Sequence, residues 1–206
     1  MKKFRTLPFS LLLIGLLTLT GCFGGEEEEP TETPDETPNP IAERIAFYRL
    51  VEADDFTIQI PEDWETIQHF TSDYPPNTVV AFRNNKKDHE FVANINIVRN
   101  QVPDGTKTTD YGLQMFQTVA SQLINFERIS EKLVDLPGAP QGTQTFIYEF
   151  KGTNNATART RTFMQTYAVN GTNAYIITGT YSANDNEIDI DRVKQSVPTF
   201  ALTQET

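Results

Sequence analysis

Apolar and polar positions alternate through much of this chain, and in two stretches the alternation gives way to a three- and four-residue spacing. Phe56, Ile58 and Ile60 alternate with Thr57 and Gln59, the pattern of a half-buried strand, and Pro61 ends it, with Asp63 and Trp64 in the turn that follows. A short strand is predicted over 79–82. In the next one Phe91, Ala93, Ile95 and Ile97 share a face and Asn94 and Asn96 take the other. Asn84-Asn85 reads as the reverse turn that makes these two strands a hairpin. Over 109–124 the period changes: Tyr111, Met115, Phe116, Val119, Ala120, Leu123 and Ile124 recur at helical spacing, and Thr108 or Thr109 is placed to cap the helix. Strands resume over 129–136, ended by Pro137-Gly138, and over 146–150, where Phe146, Tyr148 and Phe150 share a face. Two more, over 162–169 and 175–181, flank Asn170-Gly171, a tight-turn dipeptide because both residues tolerate positive φ. A last helix is predicted over 189–196, with Ile190, Val193 and Val197 on one face; Pro198 stops it, and 200–202 reads as a short edge strand.

Strands joined by hairpins give an antiparallel sheet, and helices cover its apolar faces. The expectation for 45–206 is therefore one α+β domain, an αβα sandwich. A chain of that length buries roughly 70% of its unfolded surface, enough for one core.

What precedes the domain is of a different kind. Lys2, Lys3 and Arg5 are followed by an apolar run over 7–19 and then Gly21-Cys22. Basic start, apolar run and small residues before a cleavage point make residues 1–21 a secretory signal. The run is short for a membrane span. Leu19-Thr20-Gly21-Cys22 resembles the lipobox of bacterial lipoproteins, in which the cysteine is acylated and becomes the mature N-terminus. Cys22 is the single cysteine, so an internal disulfide is excluded. The resemblance implies a membrane anchor on Cys22, with the protein on the extracytoplasmic side: periplasm, cell surface or thylakoid lumen. Phe23 rather than Asp follows the cysteine, which in a diderm is compatible with outer-membrane placement. Residues 22–44 hold Glu26 to Glu29 and Pro30, Pro34, Pro38 and Pro40, with no apolar periodicity. Such a segment reads as a solvated, semi-rigid linker, and residues 24–40 of it would span about 50 Å if polyproline-like at about 3.1 Å per residue.

Charge narrows the partners. The whole chain carries −11, and removal of the three basic residues of the leader leaves −14. Seven acidic residues lie over 26–36, so the domain itself carries about −7. That balance argues against nucleic acid and against an electrostatic grip on anionic lipid. The lipid on Cys22 would do the anchoring.

Several local sequences resemble the PsbP/Mog1-like superfamily. They are the strand ending in Pro61-Glu62-Asp63-Trp64, Val79-Val80-Ala81-Phe82, and Ala93-Asn94-Ile95-Asn96-Ile97. The helix with Tyr111 and Leu113, Tyr167-Ala168-Val169-Asn170-Gly171 before Tyr175-Ile176-Ile177, and the closing Ser196 and Phe200 complete the set. The resemblance covers most of 47–202. It implies the αβα fold and a habit of binding proteins, and it does not imply an enzyme. Relatives include cyanobacterial and plant lumenal proteins that assist photosystem II, a nuclear-transport factor and bacterial lipoproteins. Some relatives bind zinc or calcium, but no ligand set carries over residue by residue.

No catalytic constellation is legible. His69 and His89 lie twenty residues apart, with no cysteine as a further ligand. A zinc site would need both, with carboxylates brought in by folding; the plain alternative is two solvated loop histidines. Asp185, Glu187, Asp189 and Asp191 alternate as in a calcium loop, but Ile190 and Ser196 stand where such a loop needs Gly and Glu. Asp189 and Asp191 fit better as acids at a helix start. Trp64, the lone tryptophan, is a candidate exposed anchor for a protein partner, or packs over the core edge. No catalytic, cofactor or metal residues are therefore assigned. The expected function is that of a monomeric, membrane-anchored binding or assembly module of an envelope or thylakoid complex. The alternative is a small-molecule or metal-binding lipoprotein, which a concave pocket lined by Tyr148 and Tyr167 would support.

Overall fold

The structure is a computed structural model and describes residues 47–70, 74–85 and 92–203. The leader, Cys22, the linker and His89 lie outside the described residues.

Among the described residues there are ten strands and two helices, and every strand pairing is antiparallel. The strands are β1 (Tyr48–Glu52), β2 (Phe56–Pro61), β3 (Trp64–Ile67), β4 (Thr78–Asn84) and β5 (Asn94–Gln101), then, after helix α1 (Thr108–Gln122), β6 (Ile124–Asp135), β7 (Gln144–Thr153), β8 (Arg161–Asn170) and β9 (Asn173–Tyr181). Helix α2 (Glu187–Ser196) and a single 3-10 turn (Val197–Thr199) lead to β10 (Ala201–Leu202). A seven-stranded sheet has the order β3-β4-β5-β9-β8-β7-β6, and a three-stranded sheet the order β1-β2-β10.

The strand alternation sorts side chains onto two cores. On one face of the large sheet Tyr148, Phe150, Phe163, Tyr167 and Ile176 pack against Tyr111, Met115, Phe116 and Val119 of α1. On the other, Phe82, Ile95, Ile97, Tyr175 and Ile177 pack against Val193 of α2 and Phe56, Ile58 and Ile60 of β2. The α+β expectation holds, with one addition: the small sheet shares the second layer with α2. β2 cannot join the large sheet, because its partners are β1 and, from the far end of the chain, β10. Gly179 sits where α2 crosses β9, and its missing side chain gives Val193 and Val197 their room.

Several local expectations are corrected. Trp64 begins β3 rather than sitting in a turn, because its backbone pairs with Asn84. β1, with its partly exposed YRLVE sequence, carried no clear alternation. The helix stops at Gln122, and the strand expected from 129 begins at Ile124. Neither Thr108 nor Thr109 caps α1: Lys107 takes the cap position without a side-chain bond. The Thr108 hydroxyl instead accepts the Val169 N–H, at 3.1 Å. The β8–β9 hairpin is present, but its turn is displaced by one residue. Asn170 pairs with Asn173, so Gly171 and Thr172 are the central residues, and only Gly171 (φ +56°) uses positive φ. Helix α2 starts at Glu187, where the Asn186 side chain accepts the Asp189 N–H at 2.8 Å.

Candidate functional site

The sheet face whose aromatics would line a pocket under the small-molecule alternative is filled. Tyr148 and Tyr167 are fully buried, and Phe116 of α1 stacks on Tyr148 with ring centres 3.7 Å apart and planes at 5°. Tyr167 donates its hydroxyl proton to Gln165 Oε1 at 2.9 Å, and Gln165 Nε2 donates to Thr178 at 2.9 Å. Burial, then the neighbouring Tyr148 and Tyr111, holds the Tyr167 phenol well above its usual pKa. This is a satisfied polar pair inside a packed core, and it leaves no room there for a ligand.

The open space lies elsewhere, at one end of the sandwich. A cleft of about 850 Å³ opens between the first turn of α1, the β6–β7 turn, the β8–β9 turn and the residues after β10. Its walls are polar, with Lys107, Thr108, Gln144 and Asn170 among them, and Gly138, Gly142 and Gly171 at the turns adopt positive φ. Gly138 and Gly171 were legible in the sequence as turn residues, and Gly142 carried no such reading. Nothing in their spacing said that the β6–β7 and β8–β9 turns meet.

Trp64 is 2% exposed and belongs to the core under the small sheet. It is therefore no exposed anchor. Arg49 of β1 clasps the same corner, donating to the Trp64 carbonyl at 3.2 Å and to Thr66 Oγ1 at 2.5 Å, with its guanidinium 5.9 Å from the centre of the Phe82 ring. His69 is exposed. The acidic run dissolves into structural roles. Asp185 accepts the Ser182 N–H, Asp189 is buried in the first turn of α2 with Arg192 3.5 Å away, and Arg192 reaches on to Asp63 at 3.0 Å. Among the described residues no group of three or more His, Cys, Asp or Glu side chains is placed to hold a metal ion.

Two tyrosine–carboxylate pairs tie the layers together. Tyr175 donates to Asp55, which Arg99 also approaches at 3.4 Å. Tyr181 donates to Glu149 at 2.5 Å, and Lys194 of α2 reaches the same carboxylate at 2.9 Å. Burial raises the pKa of both phenols, and the carboxylates raise it further. Burial also pushes Glu149 up, but the hydrogen bonds from Tyr181 and Lys194 and the Lys194 charge outweigh it and set its pKa below the usual 4.5. A lowered carboxylate stabilises the fold above its unfolded pKa and loses that contribution as pH falls through the folded value. Glu149→Gln should therefore be less stable near neutrality by about 1.5–3 kcal/mol. It should also lose less stability than the parent between about pH 5 and pH 3, as read by urea titration across that range. An unchanged acid slope would show that the Glu149 pair contributes nothing to the linkage.

The exposed surface has one long strand edge. β6 lies at the end of the large sheet, runs for 12 residues, and leaves Ile129 47% and Leu133 50% exposed. Among the described residues no strand pairs with the outer edge of β6.

No family model matches the sequence, and no curated protein matches it. Among solved structures, the domain is similar to the solution structure of cyanobacterial PsbP (CyanoP) from Synechocystis sp. PCC 6803. The TM-score is 0.54 at 15% identity, over 84% of this chain and 99% of that one. It is also similar to LpqN of Mycobacterium tuberculosis, described as involved in cell envelope biogenesis, with a TM-score of 0.54 at 12% identity over 80% of this chain and 95% of that one. The domain has the PsbP/Mog1-like fold. No helix among the described residues is long and apolar enough to cross a membrane.

Proposed function

We propose that this protein is a non-catalytic lipoprotein, held to an extracytoplasmic membrane surface by acyl chains on Cys22, that binds a protein partner and supports the assembly or stability of an envelope or thylakoid complex. The observation that carries the reading is the pairing of a lipobox-like Leu19-Thr20-Gly21-Cys22 and an acidic, proline-rich linker with a domain packed solid on both faces of its sheet. Such a domain offers its outer surface rather than an interior chamber. CyanoP and LpqN, which share the fold, are respectively a cyanobacterial PsbP and a protein described as acting in cell envelope biogenesis, and both suit that setting. Fold alone does not fix a function, so the partner has to be found by experiment.

The anchor is tested by feeding cells an alkynyl fatty acid and tagging the purified protein. Label on the N-terminal peptide, lost in Cys22→Ala, is the expected result. An unlabelled protein with its leader removed elsewhere would overturn the anchor. The partner is tested by crosslinking in native membranes, gentle solubilisation and affinity capture, with Cys22→Ala as the control. A stoichiometric companion that depends on Cys22 is expected, and a preparation with no companion would count against the assembly role.

A second reading has its own observation, the polar cleft of about 850 Å³ beside Lys107. Its volume falls in the range of small-molecule sites. Its hydroxyl- and amide-rich walls suit a polar ligand, unlike the packed aromatic face at Tyr148 and Tyr167.

A further inference from the structure

The free edge of β6 carries more pattern than an idle sheet edge needs. It is about twice the usual strand length, it exposes three large apolar residues, Ile124, Ile129 and Leu133, and five of its twelve residues are charged: Glu127, Arg128, Glu131, Lys132 and Asp135. Sheet edges are blunted by being short, charged, bulged, interrupted by proline or covered by another element, and β6 uses charge and a bulge without being short. Here the charges alternate in sign, so their arrangement against an approaching strand decides whether they repel or attract.

The register with β7 fixes which face each residue occupies. Arg128 lies opposite Phe150, Glu131 opposite Tyr148 and Leu133 opposite Phe146, so these three face α1. Phe126 also faces α1, where its ring meets Phe116. Glu127 lies opposite Lys151 and Lys132 opposite Ile147, so these two face the other side. Arg128 and Glu131, three apart, would sit on opposite faces of a regular strand. They share one because the register slips between Arg128 and Ser130, leaving Ile129 as an extra residue. Their ion pair at 2.6 Å confirms the shared face.

We infer that β6 pairs antiparallel with β6 of a second copy of this chain, about a two-fold axis between positions 129 and 130. In that register Arg128 opposes Glu131 of the other copy, Glu127 opposes Lys132, and Phe126 opposes Leu133. Symmetry makes each pair twice. All three pairs join residues of the same face, which a regular strand could not do in this register and the bulge permits. Registers centred on a single residue from Glu127 to Leu133 fail on charge. They set Glu127, Arg128, Glu131 or Lys132 against its own copy, or Glu127 against Glu131, Arg128 against Lys132, or Glu131 against Asp135. The dimer joins two seven-stranded sheets into one and covers Leu133 with Phe126. It departs from the monomer expected from the sequence, and it does not depend on the assembly role proposed above.

The test is the mass of the full-length protein in detergent by sedimentation equilibrium, over a wide concentration range. A dimer is expected. Lys132→Glu turns two attractive pairs repulsive and should weaken it by about tenfold or more. The double variant Glu127→Lys, Lys132→Glu exchanges the charges and should restore it. Both side chains are exposed, so the melting temperature of the variants should stay within a few degrees of the parent. A monomer at every concentration would overturn the inference. So would a dimer indifferent to Lys132→Glu, or a double variant that stays as weak as the single one.

Discussion

Gly138→Ala is expected to lower the melting temperature by roughly 6–12 °C, corresponding to about 3 kcal/mol for a domain of this size. Two effects add. Gly138 holds φ at +73°, which costs an alanine about 1–2 kcal/mol. A β-carbon there would also overlap the Leu202 carbonyl oxygen and lie 2.8 Å from the Leu202 carbonyl carbon and 2.9 Å from its nitrogen. Backbone cannot move aside as a flexible side chain can. Leu202 donates its N–H to the Pro137 carbonyl at 3.0 Å and pairs with Phe56, so relief of the clash pulls β10 from the small sheet and uncovers Phe200. Overpacking of this kind costs about 1–3 kcal/mol more. Gly142→Ala separates the two effects. Its φ is +84° with nothing within 4 Å of the added carbon, so it should show the backbone cost alone. Thermal denaturation of the two variants side by side checks the argument. Equal losses would mean that β10 yields freely.

Phe116→Ala should be at least as damaging, at about 3–5 kcal/mol. Phe116 stacks on Tyr148 and meets the edges of Phe126 and Phe150 at 5.7 Å and 5.6 Å between ring centres. It is the residue through which α1 closes over the strands nearest β6. Its removal opens a cavity against Tyr148 and deletes the stacking contribution of each ring pair, about 0.5–1.5 kcal/mol. Phe116→Leu keeps most of the volume and should cost less than about 1.5 kcal/mol. Denaturant unfolding with an unchanged slope gives the free energies directly. A loss below about 1 kcal/mol for the alanine variant would mean that α1 is held chiefly by its other contacts, Tyr111, Met115 and Val119.

Much of the fold could be read from short-range pattern. The alternations at Phe56 to Ile60 and at Phe146 to Phe150 and the helical spacing from Tyr111 to Val119 all appear as the elements they predicted. Each records which residues of one segment face the same way. The misreadings share a cause. Trp64 follows a proline and two acids and looks like a turn residue until β4 arrives to pair with it. Thr108 looks like a cap until Val169, sixty-one residues later, takes its hydroxyl. The proposed aromatic chamber at Tyr148 and Tyr167 was ruled out by Phe116, whose own pattern said that it was buried but not against what.

The same division holds for function. The leader, Cys22, the acidic linker and the charge that argues against nucleic acid are properties of the chain itself, and sequence alone determined them as expectations. The tertiary structure decided what any reading of surfaces needs. It buries Trp64, brings the β6–β7 and β8–β9 turns, the α1 start and the end of β10 around one cleft, and leaves β6 with an edge that no described strand pairs, whose bulge puts Arg128 and Glu131 on the same face. The physical reason is range. Periodicity is set by each residue's own backbone geometry and neighbours, whereas strand order, register slips and the burial of a given face arise from pairings between segments far apart in the chain, which no local pattern encodes.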